Sequence, residues 1–501
     1  MGIEAFFQAS VDVFSSGSVM FVFLGVLLGL CFGIIPGLGG TTALALLIPI
    51  TFTMDALDAM YLAGGVMGAT SFGGSITAIL LNTPGTAPNA ATSFDGYPLA
   101  QQGKAGLAIG ASATASAVGG LLGLITLMMF IPLAKEIVLL FGPVEFLLLT
   151  LLGLVAIAVS SRGKLLRGLI AGGFGLMLAF VGVDTMSGET RFTLDTDYLW
   201  DGVPLVPTLT GLFAISQMIE LSLKGGAVAS KIEDIGRISG MWDGVKSVFI
   251  NWTVLLRGSI IGTVIGAIPG LGGTVASFIA YTSTVQASSD PSSFGKGNII
   301  GVIAPESANN AKDGGSLVPT VAFGIPGSAE TAVFLGILVL HGIDPGPTLL
   351  LENEREIYGL IIALTLSAVG ASVIGLLTAK WLVKITFVNV NILVPLVVTI
   401  SLTGVYVLQG KPGDVLMALV MGIVGYLMIR FDYPRLTLVI ALVLGETAER
   451  SFHQSLLISD HNLVGLIMDR PQAIILVLAT LLTLMLPALR KRTKKPARSM
   501  Q

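Results

Sequence analysis

Polar side chains are scarce in this chain, and where they gather they do so around glycine and proline. The segment APESANNAKDGG (304–315) holds Glu306, Asn309, Asn310, Lys312 and Asp313 in one short run. Two more segments, FGGSITAILLNTPGTAPNAATS (72–93) and DGGSLVPTVAFGIPGSAETA (313–332), place hydroxyls and amides on both sides of a Pro-Gly turn. Ser75, Thr77, Asn82, Thr83, Gly85 and Thr86 in the first, and Ser316, Thr320, Pro326, Gly327 and Ser328 in the second, together with Asn309 and Asn310, offer neutral donors and oxygens. Such groups suit an anionic solute and, with freed backbone carbonyls, a sodium ion, here expected near Asn82, Thr83, Gly324 and Glu306. Lys312 and Asp313 read as a solvated ion pair at a membrane surface.

A second kind of site comes from the backbone. GIIPGLGGT (33–41) returns as GAIPGLGGT (266–274), with only Ile34 changed, to Ala267. Pro36 removes a ladder donor and disfavours helix at Ile35, so a helix is expected to stop there and restart at Thr41 or Thr42, with Thr274 repeating the arrangement. A restarted helix presents unpaired N–H groups and a positive dipole end, an anion site needing no cationic side chain. Gly39, Gly40, Thr41, Gly272, Gly273 and Thr274 are the candidate contacts. The alternative reading is that these glycines let helices pack closely or bend.

The surroundings explain why such breaks carry meaning. The chain has 501 residues, 53% hydrophobic and 11% charged, against roughly 25% charged in soluble domains, and its mean hydropathy is +0.88. It reads as an all-α polytopic membrane protein. Apolar runs between 18–35 and 472–489 imply about ten or more spans at roughly 20 residues each. In hydrocarbon every backbone polar group needs a partner, so broken helix survives only inside protein or beside a watery cavity. The stretches before the two Pro-Gly turns, about eight to ten apolar residues, are too short to span and fit re-entrant hairpins. Net charge is −3, three His make a metal centre improbable, and the single Cys31 has no disulfide partner. The N-terminus lacks a positively charged leader region, so the run at 18–35 is expected to stay as a span.

The match between the two breaks continues in order. GGS at 73–75 returns at 314–316, Pro84-Gly85 as Pro326-Gly327, and SAVG at 116–119 at 367–370. Collinear matches indicate two homologous halves. Lys and Arg favour the cytoplasmic side: the tail RKRTKKPAR (490–498), the loop with Arg162, Lys164 and Arg167, and the loop with Lys224, Lys231, Arg237 and Lys246 read as inside, while the Lys/Arg-free residues 1–103 and the acidic loop 184–201 read as outside. Corresponding loops then swap sides, which makes the repeat inverted and its helices discontinuous. The expected organisation is a first repeat at 18–185, a linking span and cytoplasmic amphipathic loop at 186–250, a second, inverted repeat at 251–434, C-terminal spans at 435–489 and a basic cytoplasmic tail at 490–501.

The duplicated PGLGG, the LNTPG turn, the APESANN segment and the GIPGS turn together resemble the large membrane subunit of tripartite tricarboxylate transporters, the TctA-type family. The resemblance covers about residues 18–450. It implies a bacterial inner-membrane secondary transporter, not an enzyme, that takes di- or tricarboxylates from a periplasmic binding protein, works with a small membrane subunit, and couples uptake to Na+ or H+ with no other cofactor. Its N-terminus would be periplasmic, its C-terminus cytoplasmic, and its mechanism alternating access, with an elevator-like movement as one form. The chain agrees by omission, carrying no phosphate loop, no H-E-x-x-H and no G-x-S-x-G. It departs from the family where Lys312 and Asp313 follow the Asn-Asn pair in place of small residues. A stand-alone carboxylate transporter and an anion channel are the alternatives.

Overall fold

The computed structural model describes residues 2–15, 17–160, 165–184, 188–224 and 239–493, and it is helical almost throughout. The basic residues Arg162 and Lys164, Lys231 and Arg237, and the tail beyond residue 493 lie outside the described residues.

From the N-terminus run α1 (Gly2–Ser15), α2 (Val19–Ile34), α3 (Gly39–Thr51), α4 (Ala56–Leu81), α5 (Ala90–Gln101), α6 (Ala105–Leu139), α7 (Pro143–Ser160) and α8 (Leu165–Ala179). A two-residue hairpin, β1 (Gly182–Val183) against β2 (Thr190–Arg191), precedes α9 (Leu205–Leu209), which continues through a π turn at Thr210–Ile215 into α10 (Ser216–Lys224). Then come α11 (Met241–Ile250), α12 (Trp252–Gly266), α13 (Gly272–Ala287), α14 (Ile300–Phe323), α15 (Ala329–Leu340), α16 (Pro347–Glu352) and α17 (Glu354–Leu382). The last are α18 (Val390–Gln409), α19 (Pro412–Arg430), α20 (Arg435–Ile458), α21 (Leu463–Met468) and α22 (Pro471–Thr493).

Among the described residues six helices are long and apolar enough to cross a membrane, or eight if the bent pairs α1–α2 and α11–α12 each make one span. The sequence runs implied about ten or more. The difference lies in apolar runs such as 141–160, 165–183 and 472–489, whose apolar helices stop at 10–17 residues, short of the roughly 20 a crossing needs.

The chain forms two compact units: Met1–Lys135 with Pro204–Leu427, and Glu136–Val203 with Met428–Gln501. In the second, α7, α8, α20 and α22 pack together. Arg191 of the β-hairpin grips Glu449 of α20 with both Nη atoms, at 2.6 and 3.0 Å. That carboxylate holds the guanidinium above its ordinary, already high value. Glu145, fully buried, accepts from Arg470 Nη1 at 2.9 Å and from the Gly142 amide at 2.7 Å.

The first unit is built on two glycine ladders. Gly25, Gly29 and Gly33 of α2 rest on the carbonyls of Leu62, Val66 and Thr70 in α4, so closely that a Cβ at any of them would strike the oxygen. Gly258, Gly262 and Gly266 of α12 rest in the same way on Ala304, Ala308 and Lys312 of α14. Small residues every fourth position bring two helix backbones together where apolar lipid supplies no hydrophobic drive of its own. Val26, Leu30, Ile34, Phe72, Ile76 and Val302 fill the adjoining core.

The long helices are exchanged between the halves. Ser367 of α17 donates to the Gly65 carbonyl of α4 at 2.6 Å, and Ser116 of α6 donates to Glu306 of α14 at 2.8 Å. Ser116 and Ser367 are the first residues of the two SAVG matches, and α4 and α14 are the two central helices. Each half thereby packs its long helix against the other half's centre.

The stretches expected as short hairpin limbs are longer than that. Residues 72–81 belong to the 26-residue α4, and 313–323 to the 24-residue α14. Within these helices the hydroxyls are satisfied locally by bonding back to the carbonyl one turn earlier: Thr70 to Val66 O at 2.6 Å, Ser75 to Ser71 O at 3.1 Å, Thr320 to Ser316 O at 2.6 Å. α4 is long enough to cross the hydrocarbon on its own.

Candidate functional site

Both expected breaks exist, and they are built alike. α2 stops at Ile34 and α12 at Gly266. Gly37 and Gly270 then take φ of +89° and +83°, a region open to glycine. α3 and α13 restart at Gly39 and Gly272, two residues ahead of Thr41 and Thr274. Gly39 and Gly272 are themselves left-handed, at φ +58° and +62°, so the right-handed turns begin with Gly40 and Gly273. Thr41 and Thr274 therefore sit half-buried inside the first turn rather than capping it.

Each break is docked against the turn of its own half. Gly37 N–H donates to Gly85 O at 3.4 Å, and Gly270 N–H to Gly327 O at 3.2 Å. Beyond each turn a capping box starts the next helix: Thr86 with Asn89, and Ser328 with Thr331. The turns begin on left-handed residues, Asn82 at φ +51° and Gly324 at φ +70°. Asn82 is exposed and Thr83 Oγ1 bonds within the turn to Leu81 O at 3.1 Å, while Pro326 and Ser328 are buried.

The left-handed backbone gives Asn82 a conformational reason to be there, since Asn and Gly adopt it at least cost. Asn82→Gly should therefore leave thermal stability and transport near wild type, whereas Asn82→Ala should cost about 1 kcal/mol. Loss of transport by the glycine variant at unchanged melting temperature would instead assign the amide to solute binding.

Two polar centres lie behind the breaks. In the first, Glu306 is fully buried and its carboxylate accepts from four hydroxyls: Ser75 at 2.7 Å, Thr92, Ser112 at 3.0 Å and Ser116 at 2.8 Å. Asn89 extends the network, donating to Ser75 Oγ at 2.7 Å and to Ser71 O at 3.0 Å while accepting from Thr86. A hydrogen-bonded chain thus links mid-α14 to the tip of the first turn. The sodium set expected from sequence is not gathered: Gly324 lies 18 residues beyond Glu306 on α14, about 27 Å at the helical rise, so one ion cannot take ligands from both.

The second centre is ionic. Lys312 and Asp313, read from sequence as a solvated surface pair, are buried. Lys312 Nζ lies 2.6 Å from Asp313 Oδ1 and pairs as well with Glu330 of α15. The sequence disguised this because ionisable residues lower hydropathy and look peripheral. Their spacing with Glu306, Asn309 and Asn310 puts Asp313 on the same helical face, and that was the readable signal.

The breaks converge on this ionic centre. A Cβ on Gly40 would come 2.7 Å from Glu330 Oε1; one on Gly273 would come 2.9 Å from Asn309 Oδ1, 3.0 Å from Pro88 Cγ and 3.1 Å from Lys312 Cε. Asn309 is 1% exposed, yet neither its Oδ1 nor its Nδ2 has a hydrogen-bond partner among the described residues. Gly39 lies beside Thr86, whose Cγ2 is 3.6 Å from a Cβ placed there, whereas a Cβ placed on Gly272 meets nothing within 4 Å among the described residues. Asn310 and Asp313 line a small cavity with Gly68, Gly120, Leu364 and Ala368, with room for about 10 Å³, one water. Ser316 bonds locally, to Asp313 O at 3.1 Å. Glu330, Asn89, Thr92, Ser112 and Ser116 were not expected from the sequence. The Ser112–Ser116 step of four was the available sign for two of them.

Chemically, the region offers two helix N-termini, one ammonium, two carboxylates and a free carboxamide, arranged to hold an ion or an anionic solute. The model of the tripartite tricarboxylate transporter TctA family matches residues 19–440. An uncharacterized 52.8 kDa protein in the TAR-I ttuC' 3' region of Agrobacterium vitis is 31% identical over 481 residues, 95% of each chain. An uncharacterized protein in the TAR-II ttuC' 3' region of the same organism is 33% identical over 199 residues, 40% of this chain and 82% of the relative. No solved structure matches.

Proposed function

The chain belongs to the tripartite tricarboxylate transporter TctA family, and from that premise we propose that it is the ion-gradient-driven permease subunit of a binding-protein-dependent carboxylate uptake system. The carrying observation is the duplicated docking of break on turn, Gly37 on Gly85 and Gly270 on Gly327. Paired discontinuous helices in two halves of a repeat mark a transporter's midplane site. We read the repeat as inverted, from the swap of basic loops, and the cycle as alternating access with α3, α13 and the two turns around the solute.

A periplasmic binding protein delivers the solute and a small membrane subunit accompanies the chain in the inner membrane, as the family implies. The N-terminus is then periplasmic and the C-terminus cytoplasmic. Cation coupling follows from electrostatics. A multiply charged anion meets one buried Lys and two carboxylates here, so cations entering with it would lower the cost of burial.

The test is reconstitution of the full chain with its small subunit in proteoliposomes, with the cognate binding protein outside and Na+ or proton gradients imposed, across mono-, di- and tricarboxylates. Gradient-dependent uptake and substrate counterflow are expected. Flux without counterflow would identify a channel. Full uptake without the binding protein would identify a stand-alone carrier.

A further inference from the structure

The two breaks are matched, but what lies against them is not. The residue two places into the capping box is Pro88 in the first half and Glu330 in the second. Each faces the opposite half's break: Pro88 packs on Gly273 at the start of α13, and Glu330 packs on Gly40 at the start of α3. A carboxylate belonging to the chain thus lies against the first turn of α3, close to a helix N-terminus where a solute carboxylate would be favoured. Its other oxygen holds Lys312. Beside the second N-terminus, Gly273, lie the Lys312 stem and the Asn309 carboxamide, buried and unpartnered at both polar atoms. Unsatisfied buried amides are rare and call for an explanation.

We propose that Lys312, Asn309 and the first turn of α13 form a carboxylate subsite, and that Glu330 is a tethered competitor that occupies Lys312 until a solute carboxylate displaces it. The inference rests on the reading of the chain as a carboxylate carrier. Geometry makes the exchange local. Glu330 is the accessible partner, its side chain 15% exposed against 3% for Lys312 and 6% for Asp313. Its release frees one donor direction of Nζ while Asp313 keeps the ammonium anchored. An incoming carboxylate takes one oxygen to Nζ and the other to Asn309 Nδ2 and the α13 N–H groups. The first half has nothing equivalent, since the positions matching Asn309 and Lys312 on α4 are Gly68 and Ser71.

The test is equilibrium binding of radiolabelled citrate, succinate and acetate to the purified full chain in lipid nanodiscs. Removing a competitor that holds the site nine-tenths of the time raises apparent affinity about tenfold. Glu330→Gln should therefore bind citrate about tenfold more tightly than wild type, Lys312→Gln at least about tenfold more weakly, and the double variant as weakly as Lys312→Gln alone. A merely structural ion pair would weaken binding on either side. Should Glu330→Gln not be recovered folded, Glu330→Asp, one methylene shorter, is read the same way and should also tighten binding. Unchanged or weaker binding by the Glu330 variant, or a double variant tighter than Lys312→Gln, overturns the exchange. A wild-type protein that binds none of the three acids overturns the carrier reading itself.

Discussion

Replacing Glu306 by Ala should be the most damaging single substitution in the polar interior, costing about 3–5 kcal/mol in thermal unfolding of the purified protein. The carboxylate is the common acceptor for Ser75, Thr92, Ser112 and Ser116, drawn from α4, α5 and α6. Truncation leaves a void and orphans buried hydroxyls, of which Ser75 alone has a second acceptor in the Ser71 carbonyl at 3.1 Å. The loss should spread through Asn89 to the Thr86 capping box and loosen the first turn. Glu306→Gln keeps the shape and one acceptor, and its cost should fall to about 1–2 kcal/mol. Equal costs for Ala and Gln would show that the hydroxyls do not depend on the carboxylate, and that Glu306 serves by packing alone.

The second large effect concerns the contact that joins break to turn. Gly85 lies against the Gly33 carbonyl and the Gly74 Cα, and Gly327 against Gly266 O at 2.7 Å and Ser316 Cα at 2.6 Å from an added Cβ. These obstacles are backbone, so no side chain can swing away. Gly85→Ala and Gly327→Ala should each cost about 1–3 kcal/mol and cut transport below about a tenth of wild type, a loss of at least about 1.4 kcal/mol in the transport barrier. Gly173→Ala in α8, where nothing lies within 4 Å, should be neutral or slightly stabilising. Transport at wild-type rate by both of the first two variants, with melting temperatures held, would detach the breaks from the translocation step.

What could be read in advance follows from how each feature is encoded. The breaks and turns were legible because Pro36, Gly37, Pro84 and Gly85 act locally on the backbone, and the repeat because it doubles that local signal. The ladders Gly25–Gly29–Gly33 and Gly258–Gly262–Gly266 were half legible: their spacing is visible, but only the fold shows that α4 and α14 are the surfaces they meet. Packing by glycine and backbone breaking, posed as alternatives, both occur, in adjacent stretches of one segment. Glu330 was illegible because Gly40 comes from the other half of the chain and Lys312, 18 residues before it, meets it only through the fold of the intervening turn. The hydroxyl ring around Glu306 was hidden likewise, since a Ser in a long apolar helix gives no hint of which helix it will face.

The mismatch between α4 and α14 has an electrical consequence. Lys312, Asp313 and Glu330, taken as ionised, sum to one negative charge, whereas the matching first-half positions, Ser71, Phe72 and Pro88, carry none. Moving one elementary charge through 100 mV is worth about 2.3 kcal/mol. A rearrangement that carries these three positions across part of the membrane field would then be biased by voltage even when the protein is empty, while the matching positions of the first half would add no such bias. At these positions the membrane potential would thus act on the resting protein as a spring attached to one half only.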